Sequence, residues 1–288
     1  MRTLQALPID GHGPRARLLV SLLWTATWWA IGWSHIPVLS AYAFFPLWLG
    51  YISTVNAVSE AVFRDSLIRK MGWSFSLLFM ISIPMWWFFE FLNIFVQNWH
   101  YLFGPISQAH YVVQTSIDFS TVVPAVLSTA FLFRLSAQRR GNDAVSRSRP
   151  VATIYLVLLV GCGIAGFLLV PYAPNATFPL IWIAPLLVID PVNRALGFPS
   201  VLSHIQERRW LIPASLMSAA LFAGFWWEMW NFYSFPKWYY TIPYVGFWKI
   251  FEMPLLGYGG YPFFGLIVWS YAVLVVSILK GRGTQILE

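Results

Sequence analysis

Residues 221–240 read LFAGFWWEMWNFYSFPKWYY, an apolar run carrying one carboxylate, Glu228, and one amide, Asn231, three residues on. That spacing puts both side chains on one face of a helix. Residues 83–101, IPMWWFFEFLNIFVQNWHY, carry Glu90 and Asn93 at the same spacing, 138 positions earlier. Beyond each pair, Trp99 and Tyr101 correspond to Trp238 and Tyr240 after a one-residue insertion. Pro105, Gln114 and Pro124 correspond to Pro243, Glu252 and Pro262, again at 138. Upstream, Phe45-Pro46 corresponds to Phe178-Pro179, Trp48 to Trp182 and Trp73 to Trp210, at slightly shorter offsets. A Trp-rich composition alone does not put a Glu/Asn pair in register, so a tandem duplication is expected.

The solvent of this chain follows from its composition. Of 288 residues, 58% are hydrophobic and 10% charged, which leaves too little polar surface to cover a water-soluble body of this size. A bilayer span needs roughly 20 apolar residues. Eight such segments can be marked, at 17–36, 40–63, 73–98, 109–134, 151–171, 177–197, 210–233 and 246–279. The last is too long for one straight span. Its Pro254, Gly257, Gly259, Gly260 and Pro262 predict an interfacial or re-entrant piece, followed by a span from about Tyr261. The expected fold is all-α: a polytopic membrane helix bundle of about eight spans. Residues 1–16 form a cytosolic tail, 17–134 a first four-helix repeat, 135–150 a basic linker and 151–288 a second four-helix repeat. Because each half has an even number of spans, the repeats are expected to be parallel, about an axis along the membrane normal.

Charge sets the orientation. With the N-terminus inside, every Lys and Arg except Lys237 and Lys249 falls in an inner loop or terminus, as the positive-inside rule requires. Both termini are therefore expected in the cytoplasm. The net charge of +7 is explained by these loops, and no nucleic-acid motif accompanies it. The only cysteine, Cys162, lies in an apolar run and can form no intrachain disulfide. The sequon at Asn175 sits in a loop that hugs the membrane, and chance is the better reading of it.

Ionisable residues in spans are costly, about 2.5 kcal/mol or more at mid-bilayer, and normally face a partner or a wet cavity. Glu60, Glu90, Asp118, Asp190, Glu228 and Glu252 are the candidates. Glu90 and Glu228 come roughly 27 Å along their helices, near the outer interface. Glu252 and Gln114 open the last span of each half from outside, in the same layer. Glu90, Glu228 and Glu252 are the candidate catalytic acids. Asn93, Asn231, Gln114, Trp87, Trp227, Trp238 and Tyr240 are the candidate substrate-binding residues. Many of the outer Trp and Tyr residues are equally expected as an interfacial belt, and Glu/Asn pairs can be purely structural. Asp190, near an inner helix end, reads as a cap; Asp118, deep in its span, is the more interesting acid. The five histidines are scattered without metal-ligand spacing, so no metal site is expected. GYGGYPFFG, residues 257–265, lacks the G-K-[ST] of a P-loop. The sequence names no cofactor.

In the second half, Trp227-Glu228, Trp238-Tyr239-Tyr240, Pro243, Gly246, Glu252-Met253-Pro254-Leu255 and Phe263-Phe264 follow in order. This pattern resembles the repeated lycopene cyclase domain of bacterial and archaeal carotenoid cyclases, which is also small, membrane-embedded and used in tandem. That family has paired glutamates after its Pro-Leu. Here Leu256-Gly257 stand there, and the nearest carboxylate, Glu252, precedes the proline. The resemblance implies acid chemistry by Glu228 and Glu252 on an isoprenoid, as a non-redox isomerase or cyclase of carotenoid biosynthesis. A hydratase of isoprenoid lipids would need the same acid. Two other functions remain open at this point: a proton-coupled transporter of a small or cationic solute, and an accessory subunit binding pigment or lipid. An enzyme predicts Glu90, Glu228 and Glu252 around one closed pocket. A transporter predicts polar residues continuing to Asp118 and Asp190.

Overall fold

The computed structural model describes residues 12–138, 152–281 and 283–287. Most of the expected tail and linker, and with them Arg2, Arg139, Arg140, Arg147, Arg149 and Arg282, lie outside the described residues.

The first half runs α1 (His12–Ser34), α2 (Phe44–Phe63), α3 (Leu67–Met71), α4 (Ser76–Val96), β1 (Trp99–Leu102), α5 (Gln108–Phe119) and α6 (Val122–Gln138). The second runs α7 (Thr153–Leu169), α8 (Pro174–Thr177), α9 (Ala184–Ala195), α10 (Val201–Gln206), α11 (Leu211–Phe232), β2 (Lys237–Tyr240), β3 (Lys249–Ile250), β4 (Met253–Pro254) and α12 (Gly260–Lys280). Helix occupies each of the eight marked apolar segments. Five stretches are long and apolar enough to cross a membrane: Leu67–Val96, Gln108–Gln138, Pro174–Ala195, Leu211–Phe232 and Leu255–Lys280. Thr153–Leu169 is apolar but shorter. Around the bundle, α1 exposes Leu19, Val20, Leu22 and Leu23, and α7 exposes Ile154, Val157, Leu158, Leu168 and Leu169. Apolar faces of that extent fit lipid rather than water.

Two boundaries differ from the sequence reading, and a third follows it. The first helix begins at His12, inside the segment expected to be tail. The segment marked at 109–134 is broken between α5 and α6. There the hydroxyls of Ser120 and Thr121 donate to Ile117 and Asp118 carbonyls, competing with the helix ladder. Ser82 of α4 spans the gap, accepting the Val123 N–H and donating to the Phe119 carbonyl, so that both of these backbone groups at the break are paired. The segment at 246–279 opens with β3, β4 and the 3-10 turn Leu255–Gly259 before α12 starts, as its glycines and prolines predict.

Helix α1 packs on α2 as α7 packs on α9; α6 and α11 pair at the centre, and α12 lies against α11 and α9. Two glycines set crossings. A Cβ at Gly163 of α7 would come within 2.9 Å of the Ala184 carbonyl of α9. One at Gly265 of α12 would run into the Leu216 carbonyl of α11. Small residues at such points let helices approach in a bilayer, where packing substitutes for the hydrophobic effect.

Toward the C-terminal end of α9, Asp190 is 2% exposed and accepts the N–H groups of Val201 (2.7 Å) and Leu202 (2.9 Å) and the Ser270 hydroxyl (3.0 Å). It caps α10 from a neighbouring helix, which answers the question its burial raised. In the first half Asn56 does the same with an amide: its Oδ1 accepts the Ile68 N–H at 3.1 Å, and its amide donates to Ser128 at 2.9 Å. Asp190→Ala strands three buried donors, each worth about 1–3 kcal/mol. It should lower stability in detergent on the order of 3 kcal/mol or more, and Asp190→Asn, which keeps one acceptor oxygen, distinctly less. Thermal unfolding followed by circular dichroism measures both; equal, small losses would contradict the capping role.

Candidate functional site

The site grows from the C-terminal ends of α4 and α11. Asn93 turns its amide back on the chain that follows α4: Nδ2 donates to the Trp99 carbonyl (2.8 Å), and Oδ1 accepts from Asn98 N–H (2.9 Å) and Trp99 N–H (3.3 Å). Asn231 treats Trp238 alike, donating to its carbonyl and accepting its N–H, both at 2.8 Å. Each clamp aims a short strand across the helix end. β1 and β2 then pair antiparallel, with Trp99 opposite Tyr240 and Tyr101 opposite Trp238. Since Trp99 corresponds to Trp238 and Tyr101 to Tyr240 in sequence, this register is two-fold about the central pair, His100 and Tyr239, whose rings stack at 5.1 Å.

The glutamates lie one turn below. Glu90 Oε1 accepts from the Tyr101 hydroxyl (2.7 Å) and from the indole N–H groups of Trp86 (2.9 Å) and Trp99 (3.0 Å). Glu228, 0% exposed, accepts on Oε1 from the hydroxyls of Tyr240 (2.7 Å) and Tyr261 (2.8 Å), and Trp238 supports the Tyr240 hydroxyl at 2.9 Å. Its other oxygen, Oε2, has no hydrogen-bond partner among the described residues. Tyr240 and Tyr101 are held well above the usual tyrosine range, first by burial and then by the neighbouring carboxylate, so both stay neutral donors in alkaline solution.

Gly224 explains why the two glutamates differ. It occupies the position of Trp86 in the repeat register, and a Cβ there would lie 2.6 Å from the Tyr261 ring. Without a side chain at 224, Tyr261 of α12 enters and takes the place at the carboxylate that Trp86 holds in the first half.

Glu228 borders a cavity of about 150 Å³ beneath the β1–β2 roof. Its walls are aromatic, with Trp86, Trp99, Trp182, Trp227, Trp238 and Phe264 prominent, and Asp118, Gln114 and Asn231 supply polar atoms. Of the sequence candidates, Glu228, Gln114, Asn231, Trp227, Trp238 and Tyr240 meet here. Gln114 is spent partly on structure, donating to the Ala41 carbonyl at 2.6 Å. Glu90 and Asn93 stand outside the wall, Glu90 behind the Trp86, Trp99 and Tyr101 side chains it orients. Glu252 is outside too, ion-paired with Lys237, which does border the cavity. Trp87 is not part of the wall; its indole N–H donates to Ser116 at 2.9 Å between α4 and α5. Sequence reasoning missed Tyr261, for which the signal was Gly224 standing where the other half has tryptophan. It also missed Asp118 as a cavity residue, although its cost within a span had marked it. Among the described residues no three His, Cys, Asp or Glu side chains gather as a metal set. No family model, curated protein or solved structure matches this chain.

Gly224→Ala should destabilise the protein by about 1–3 kcal/mol by driving the Tyr261 ring from its place. In Tyr261→Ala the added methyl has room, so the two changes should be strongly non-additive in a double-mutant cycle of thermal unfolding. Additive losses would mean that Gly224 does not make the space for Tyr261.

Proposed function

We propose that this is an eight-span membrane enzyme, duplicated from a four-helix unit with parallel halves and cytoplasmic termini, that performs acid-initiated, non-redox chemistry on an isoprenoid lipid. The observation that carries the reading is Glu228: a fully buried carboxyl with two phenol donors on one oxygen, no partner on the other, and an aromatic cavity beside it. A proton on Oε2 has no acceptor among the described residues and is available to a substrate double bond. The cation that results is stabilised by indole and phenol faces, which attract positive charge through their quadrupoles. Isomerisation or ring closure of a polyene end fits a cavity this small and this apolar, in line with the cyclase-like motifs. A hydratase would share the first step.

Duplication is supported by the two-fold register of β1 and β2 and by the matched Asn clamps. Eight spans and inner termini are supported by the placement of the basic residues. Transport is less well supported. Below Asp118 the centre is closed by buried Val126, Leu127, Leu216, Ala219, Ile267 and Val268, and Asp190 is fully engaged as a cap.

Protein purified in mild detergent should carry an extractable polyene or isoprenoid, identifiable by mass spectrometry of the organic extract. Glu228→Gln should keep the ligand but reduce conversion by about 10²–10⁴-fold. An extract without apolar ligand, together with an unaffected Glu228→Gln protein, would end the enzyme reading.

A further inference from the structure

Lys237 is the one basic side chain among the described residues that border the cavity, and the chemistry above does not use it. With Lys249 it is one of two basic residues outside the loops and termini that carry the rest. In the repeat register its place belongs to Asn98 in the first half, which does not border the cavity. Its ion-pair partner, Glu252, stands where the first half has Gln114. The half that carries Glu228 therefore has an ion pair where the other half has two amides. Counting donors shows what this ammonium lacks. It carries three N–H donors and no acceptor. One goes to the carbonyl of Phe232 at 3.0 Å, at the end of α11, where helix carbonyls have no intrahelical partner. A second goes to Glu252. The Phe232 ring, 5.5 Å from Nζ, adds attraction but no acceptor atom. The third N–H has no acceptor among the described residues. The hydroxyls of the wall differ in this respect: Ser40 and Ser234 donate to main-chain carbonyls, and Tyr240 and Tyr261 to Glu228.

We infer that the cavity takes an isoprenoid with a neutral oxygen function, a hydroxyl or a carbonyl, at the end held by Lys237. The inference rests on the proposed isoprenoid site and names its ligand more closely. Water can meet the third N–H while the cavity is empty, since the side chain is 20% exposed. A pure hydrocarbon would displace that water and strand a charged donor, which costs more than stranding a neutral one. An oxygen acceptor replaces the lost bond. Charge excludes an anionic head. Glu252 already neutralises the ammonium, so the pair offers a hydrogen bond without net positive charge. A phosphate or carboxylate would bring an unmatched charge into aromatic surroundings beside two glutamates. The binding pose follows from α11. Phe232 and Glu228 are four residues apart, about 6 Å along the axis. The oxygen end lies at the helix terminus, and the double bond facing Glu228 lies one turn deeper.

Three probes on one carbon skeleton test this with the full chain in nanodiscs: all-trans-retinol, the same hydrocarbon without its hydroxyl, and retinoate. Binding is read as quenching of tryptophan fluorescence, corrected for partition into empty nanodiscs, and needs no turnover. Retinol should bind at least about 10-fold more tightly than the hydrocarbon, as a hydrogen bond to a charged donor allows, and retinoate more weakly than retinol. In Lys237→Met/Glu252→Gln, which removes both charges together, the preference for retinol over the hydrocarbon should vanish while hydrocarbon affinity stays the same. That unchanged affinity shows that the variant is folded. Equal binding of retinol and hydrocarbon in the unmodified protein, or tighter binding of retinoate, overturns the inference without any variant and leaves the proposed enzyme standing. A retinol preference that survives in the double variant overturns the role of Lys237. Failure of all three probes to bind counts against the isoprenoid site itself and retires this inference with it.

Discussion

Two asparagine side chains hold one end of this helix bundle together. A helix that ends below the headgroups leaves carbonyls and N–H groups unpaired, and the chain that leaves it must be satisfied in a region of low water content. Asn93 and Asn231 meet both needs by gripping the main chain of the following strand with donor and acceptor at once. The strands so placed bring Trp99, Tyr101, Trp238 and Tyr240 over the ends of α4 and α11. Without that grip there is no roof, and without the roof Glu90 would keep only the Trp86 indole and Glu228 only the Tyr261 phenol.

From one architectural plan the two glutamates acquire different duties. Glu90 is surrounded by three donors on one oxygen and organises a wall. Glu228, with Tyr261 admitted by Gly224, is placed beside the cavity with one oxygen to spare. A single residue, glycine against tryptophan at the same register position, separates an acid held behind the wall from one that borders the cavity.

Much of this was legible in the sequence, and the reasons for the rest are physical. Apolar length located the helices, because a bilayer tolerates few alternatives. Glu90, Asn93, Glu228 and Asn231 stood out because polar atoms in apolar runs are expensive. Which acid faces the cavity was not legible, since neighbouring positions on one helix end differ only in what packs against them. The α5–α6 break was hidden although Pro124 stands in the first turn of α6, because a proline inside an apolar run can also kink a continuous span; serine and threonine hydroxyls complete the interruption there. The pairing of Glu252 was not legible because its partner, Lys237, lies 15 residues earlier and is adjacent only in space.

The register of β1 against β2 has an evolutionary meaning. Under the proposed duplication, a half-length ancestor could have satisfied the same strand only by laying it against the same strand of a second molecule, forming a self-complementary dimer. In such a symmetric pair every substitution appears twice. Gene fusion lifts that constraint, and only afterwards can one copy keep tryptophan where the other turns to glycine, or one copy gain an aspartate that the other lacks. The stacked rings of His100 and Tyr239 mark where that vanished symmetry axis would have run.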